Sequence, residues 1–211
     1  MSHPAGNCPQ CGARIEFKFS SAVQTVCEFC KSILVRHDVD LTRVGEVADL
    51  PPDVSPIQMG TEGVYRNKAF WVAGRILYQY EFGGWNEWHI VFQDGVSGWL
   101  SDAQASYAVT FAADPGQTLP PAGELAPRTA FRFANTGYQV ATLTHARYAG
   151  VEGELPFEYW DKDEVLFADL RSATANFGTI DYSEEPPLLF LGEAVDFDSL
   201  RLKNLRSFEG W

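Results

Sequence analysis

The chain has 211 residues, enough for one or two domains with buried cores, and its balance of 45% hydrophobic to 21% charged residues is that of a soluble globular protein. Net charge is −12, yet residues 1–36 carry Arg14, Lys18, Lys31 and Arg36 against only Glu16 and Glu28. The acid therefore lies in the remainder, which phosphate backbones and anionic lipid repel, and no apolar run approaches the length of a membrane span.

Cys8, Cys11, Cys27 and Cys30 form a Cys-x2-Cys-x15-Cys-x2-Cys pattern. Two residues between thiolates let both point at one ion, and a second such pair completes the tetrahedron that zinc prefers. Arg14 to Phe19 alternates, Ser20-Ser21 turns, Ala22 to Val26 returns, and Ser32 to Val35 gives a third strand. The expectation is a zinc ribbon over 1–36, too small to fold without its metal. All four ligands are Cys, so the zinc is read as structural, with no open coordination position. Cys usage of this kind belongs to a reducing compartment, and no secretory signal precedes it, so a cytoplasmic location is expected.

Residues 37–56 read as a Pro-rich connector, with Leu50-Pro51-Pro52 and Ser55-Pro56 favouring extended backbone. His37, Asp38 and Asp40 are taken as solvated rather than as ligands, since the ribbon already has four.

A first β domain is expected over 57–113. Phe70 to Tyr80 alternates with the period of a half-buried strand, and Gly83-Gly84 signals a tight turn. Trp85 to Gln93 returns, Asp94-Gly95 turns again, and Val96–Ser101 and Ser106–Phe111 complete an antiparallel meander. Asp114-Pro115-Gly116 and Leu119-Pro120-Pro121 close the domain. A second β domain is expected over 124–200. Its strands are Ala130–Ala134, Tyr138–Tyr148, Glu154–Trp160, Glu164–Leu170, Ala175–Asp181 and Leu188–Leu191. Phe197 to Arg206 reads as a short helix capped by Asp196 or Asp198, and 201–211 as a tail.

The two β segments look alike. A gapless shift of 68 residues sets Tyr65 on Phe133, Phe70 on Tyr138, Phe92 on Trp160 and Trp99 on Phe167. Aromatics fall on aromatics at one strand parity, as core registration requires. The turns differ: Gly83-Gly84 becomes a longer excursion from Gly150 to Pro156.

Leu50-Pro51-Pro52, Ser55 to Gly60, Gly74-Arg75, Trp85-Asn86-Glu87-Trp88 and Gly98 to Gln104 mark the first segment. Gly153-Glu154-Leu155-Pro156 and Ile180 to Ser183 mark the second. Together they resemble the bacterial proteins with an N-terminal zinc ribbon and domain-of-unknown-function family 4178, here in two tandem copies. The resemblance brings no activity and no catalytic residues. Family members are often encoded near a spermidine-synthase-like aminopropyltransferase and small membrane proteins, which implies a link to polyamine or envelope-stress systems.

Trp85, Glu87 and Trp88 are the densest ligand candidates. Indole faces and a carboxylate could cradle a cation such as a polyamine. The competing reading puts Trp88, Ile90 and Phe92 in the core and has Glu87 cap a turn or pair with Arg75, and parity separates Trp85 and Glu87 from Trp88. His89 and His145 read as strand residues with hydrogen-bond partners. No nucleophile elbow and no phosphate loop is present in the sequence.

The sequence thus reads as all-β: a zinc ribbon followed by two related antiparallel β barrel- or sandwich-like domains. The leading function is a non-catalytic cytoplasmic adaptor with an unidentified protein partner. One alternative is a binder of, or enzyme acting on, a cationic small molecule such as polyamine. The other is nucleic-acid binding through the ribbon. A broad apolar patch would favour the first, a concave pocket lined by Trp85 and Glu87 the second, and a basic-aromatic ribbon face the third.

Overall fold

The computed structural model describes residues 4–37, 40–47, 55–158 and 164–207. The N-terminal module begins with the hairpin β1 (Ala5–Asn7) and β2 (Arg14–Glu16). A three-stranded antiparallel sheet follows: β3 (Gln24–Val26), β4 (Ser32–His37) and β5 (Asp40–Glu46). β5 lies in the expected connector. Its half-exposed pattern carries little apolar periodicity, and it is a strand because β4 offers it a ladder from His37 to Ser32. Asp38 and Leu50 to Pro52 lie outside the described residues.

The body is all-β. Its strands are β6 (Glu62–Tyr65), β7 (Lys68–Tyr80), β8 (Gly83–Phe92), β9 (Ser97–Ala103), β10 (Ser106–Ala113), β11 (Ala130–Phe133), β12 (Thr136–Gly153), β13 (Val165–Arg171), β14 (Asn176–Asp181) and β15 (Leu188–Val195). The first meander is as expected, except that Glu81-Phe82 form the tip of its first hairpin while Gly83 and Gly84 already pair with β7. Glu154 to Glu158 do not form the expected strand, and Trp160 lies outside the described residues. The expected helix at 197–206 shrinks to one 3-10 turn, Phe197–Leu200, because Arg201 turns left-handed (φ 48°).

The two segments do not part into separate sheets. β10 pairs with β15, and the second half of β12 pairs with β7. Around the body the order is β7-β8-β9-β10-β15-β14-β13-β12 and back to β7, a closed antiparallel ring of eight strands. β6 and β11 extend β7 and β12 at their N-terminal halves.

The ladders repeat with a fixed offset. Tyr65 pairs Lys68 and Phe133 pairs Thr136, and the bulge between Val72 and Gly74 recurs between Val140 and Thr142, an offset of 68. Beyond β7 and β12 the offset becomes 80: Gly74 pairs His89 where Thr142 pairs Asp169, and β9–β10 match β14–β15 likewise. The extra residues are the long end of β12 and the excursion through Pro156. The single gapless shift therefore holds for two strands only. Phe70 and Tyr138 are matched and both buried. Trp99 and Phe167 are both buried but not matched: Trp99 corresponds to Thr179, and Phe167 to Glu87.

Alternate residues face opposite sides of the wall. Outward, Phe70, Val72, Trp88, Ile90, Phe92, Leu100 and Val109 pack beneath Ile57 and Leu200. Across the body, Val140, Ala168, Leu170, Ile180 and Leu189 pack beneath Leu119 and Phe133. Both outer faces are thus covered by other parts of the chain, connecting segments at Ile57 and Leu119, the 3-10 turn at Leu200 and β11 at Phe133. Inward, Ile76, Tyr78, Trp99 and Phe167 line a lumen.

At the β10–β15 seam, Gly192 lies so close to Val109 that an added Cβ would overlap the Val109 carbonyl oxygen. Gly192→Ala should therefore open the seam and destabilise the body by about 1–3 kcal/mol in urea melts. An unchanged midpoint would show that the ring is not closed there.

Candidate functional site

Two places gather chemistry. The first is the cysteine cluster. After Cys11 and Cys30 the backbone turns left-handed at Gly12 (φ 76°) and Lys31 (φ 58°), which folds each pair into a knuckle. The ligand atoms of Cys8, Cys11, Cys27 and Cys30 all lie within 4.8 Å of one another. Cys8 and Cys30 Sγ are 3.6 Å apart and Cys11 and Cys27 Sγ 3.7 Å. Bonds of about 2.3 Å to a tetrahedral ion require a sulfur spacing of about 3.8 Å. The four thiols could therefore hold a metal ion.

The second is the lumen. A cavity of about 340 Å³ opens at one end, lined among others by Glu87, Trp99, Phe157, Glu158, Asp181 and Glu184. A cavity of about 670 Å³ opens at the other, lined among others by Tyr80, Trp85, Thr142, Asp169, Arg171 and Phe177. Glu87, Ser101, Phe167 and Thr179 line both and so form the waist between them.

Glu87 sits at that waist. It points inward because its strand partner Ile76 and its neighbour Trp85 do. The single Ser101 hydroxyl proton is shared between the two Glu87 carboxyl oxygens, which lie 2.9 and 2.8 Å from Oγ, and Trp85 Nε1 donates to one of them at 3.0 Å. One side of the residue looks into the cavity, yet protein packs densely around the carboxyl. Burial pushes its pKa up to about 8; the Ser101 and Trp85 hydrogen bonds restrain the shift, and the negative charges of Asp169 and Asp181 add to it. Asp169 accepts from Thr142 Oγ1 at 3.0 Å and Thr179 Oγ1 at 3.2 Å, and burial raises its pKa too. Asp181 is buried and accepts from the Ser183 N–H at 2.8 Å. Among the described lining residues of both cavities, Arg171 is the one base, and its guanidinium lies over Phe177 at 4.5 Å.

Aromatic rings frame the waist. Tyr78 stacks on Trp85 with centroids 4.9 Å apart, and Phe167 meets both edge-on. Of the sequence candidates, Trp85 and Glu87 come together here. Trp88 does not: it is buried on the outer face, with the Arg75 guanidinium 5.0 Å from its ring centroid. Arg75 serves Asn86 and Glu152 instead of Glu87. Asp169 and Asp181 escaped sequence reasoning. Their only signal was parity, each lying two residues from another inward residue, Phe167 or Thr179.

His89 is buried, with Nδ1 2.8 Å from the Glu154 carbonyl and its ring between Phe19 and Trp99. Burial depresses its pKa to about 4, so it stays neutral and structural. His145 is exposed, 3.9 Å from Glu164. A third concavity, between the N-terminal module and β7, mixes Arg14, Lys18 and Lys31 with Glu16, Glu28, Glu152 and Glu154. It is no basic face. Among the described residues no helix is long and apolar enough to cross a membrane.

The sequence model of the family described as a domain of unknown function, DUF4178, matches residues 58–197. The chain belongs to that family. The match runs once across both β segments, as the closed ring does. No curated protein and no solved structure matches the chain.

The raised pKa of Glu87 has a stability signature. The proton that the folded state holds and the unfolded state does not favours folding at low pH. That contribution is complete below the unfolded value near 4.3 and lost as pH rises through about 8. Glu87→Gln should match the wild type at pH 5 and exceed it at pH 9, by on the order of 3 kcal/mol in urea melts. A pH-independent difference would contradict the burial of this carboxyl.

Proposed function

We propose that the body binds a small organic cation, an amine of the polyamine class, in its lumen, and that the N-terminal module is a zinc ribbon with a structural metal. The observation that carries the reading is Glu87, held at the waist beside Asp169 and Asp181, where the one base among the described lining residues, Arg171, lies over the Phe177 ring. Three carboxyls close together in a low dielectric resist ionising together, and an incoming ammonium relieves that repulsion. The faces of Tyr78 and Trp85 attract such a group and cover its methylenes. An eight-stranded ring encloses about one small ligand. The family resemblance points to the same chemistry, and the acidic body would draw a cation towards either mouth.

This reading takes precedence over the adaptor. The large exposed apolar side chains among the described residues are Phe29, Phe82, Val96 and Leu188, on four separate elements or turns. It also takes precedence over nucleic-acid binding, since the ribbon face mixes both charges. Binding rather than turnover is proposed, in a reducing cytoplasm that suits four thiolate ligands. The family domain is read as one unit with an internal repeat rather than as two tandem copies.

Titration calorimetry of the metal-loaded full chain with spermidine at pH 7 tests the site. Saturable binding is expected, with heat that depends on the buffer because Glu87 gives up its proton. Glu87→Gln should weaken binding at least tenfold and abolish the buffer dependence. No binding, or equal binding of an uncharged diol, contradicts the proposal. Elemental analysis should give one zinc per chain, lost in Cys27→Ser; a metal-free, folded wild type contradicts the ribbon.

A further inference from the structure

We infer that Glu154 is a positioning residue through which the metal-bearing N-terminal module holds one wall of the lumen. Glu154 is 6% exposed, and each of its polar ends is engaged by a different part of the molecule. Its carboxylate accepts the N–H groups of Lys18 and Phe19, both at 2.8 Å, at the tip of the module. Its own N–H donates to the Ala73 carbonyl of β7 at 2.8 Å. Its carbonyl meets His89 Nδ1 of β8, also at 2.8 Å. One residue thus joins the module to β7 and β8, the strands that carry Tyr78, Trp85 and Glu87.

The next residues extend the joint into the cavity. Leu155 exchanges backbone hydrogen bonds with Gln24 and accepts a further one from Val23, adding itself to the edge of β3. Two residues later Phe157 lies against Trp99, with centroids 5.8 Å apart, and both line the smaller cavity with Glu158. Within five residues the chain runs from the tip of the module to the mouth of the lumen.

The metal ligands belong to the same joint. Cys8 and Cys27 are buried in one cluster with Phe17, Phe19, Ala73 and Val91. Val91, His89 and Glu87 are successive inward residues of β8, reading from the module to the waist. A module this small depends on its ion for its fold. Losing the ion removes the two N–H donors of Glu154, the strand partner of Leu155 and the Phe19 ring beside His89. A buried carboxylate that loses two backbone N–H donors is strongly destabilised in its place. The mouth formed by Phe157 and Glu158 must then move.

The consequence for ligand affinity rests on the lumen reading; the mechanical link rests on the ribbon reading alone. The two are separated by using two arms. In the first, hydrogen exchange is measured on the metal-loaded full chain before and after removal of the metal by a chelator. Protection is expected to fall at least tenfold at Ala73, at 89–91 and at 153–157, while β13, β14 and β15 keep theirs. Changes confined to residues 4–37, or spread evenly over the whole body, overturn the inference. This arm needs no variant and no ligand.

In the second, zinc transfer from the protein to a chromogenic chelator is timed with and without spermidine. Coupling between sites is reciprocal, so a ligand that needs the module in place must also retain the metal. Spermidine should slow transfer from the wild type and leave the Glu154→Gln chain, still carrying one metal, unaffected. Equal slowing in both, with spermidine bound to both, overturns the role of Glu154. Failure of spermidine to bind at all removes the proposed ligand and leaves the first arm to decide the joint.

Discussion

Closure of the strand ring rests on two backbone seams, β7 with β12 and β10 with β15. Everything inside follows from them. A strand wall that closes must turn alternate side chains inward, and those side chains then live in a confined, poorly hydrated space. The seams set conditions on sequence. Gly74 and Gly192 stand where a Cβ would strike the opposite backbone. β7 and β12 must each serve two neighbours on one edge, β6 then β12 for the former and β11 then β7 for the latter, and both carry a bulge near the changeover. Closure also pairs both edges of the eight ring strands and leaves only the short β6 and β11 as edges of this sheet.

Matched positions of the two halves show how the inside and outside of the wall are used. Outward, Leu100 matches Ile180, Val109 matches Leu189 and Phe70 matches Tyr138. These stay apolar because a connector packs over each face. Inward, Glu87 matches Phe167, Ser101 matches Asp181 and His89 matches Asp169. Here the chemistry differs at each position. The fold needs the outer set, whereas nothing in the packing demands carboxyls at the waist. A buried Glu87 with a pKa near 8 lowers stability at neutral pH, and such groups concentrate where a protein works.

Much of the wall was legible in the sequence. Phe70 to Phe111 gave its strands and the Asp94-Gly95 turn through period-two alternation, and the Cys spacing gave the knuckles. Parity alone separated Trp85 and Glu87 from Trp88. The seams were not legible, since they join strands some 70 residues or more apart and leave no local pattern. That is why two domains were expected where one ring stands. β5 was missed because its alternation is weak and its stability comes from β4. Glu154 read as the first residue of an expected strand; the folded chain alone brings Lys18 and Phe19 to it. The helix at 197–206 failed because an N-terminal cap cannot extend a helix past a left-handed Arg201.

The proposed binding requires a proton held at the waist of the lumen that a cation displaces. Carboxyl-detected NMR titration of Glu87, assigned through Glu87→Gln, measures it most directly. The free protein should show this carboxyl titrating near pH 8, and saturation with an amine should move the midpoint below neutrality. A midpoint in the ordinary glutamate range in the free protein, unmoved by amine, would contradict the account.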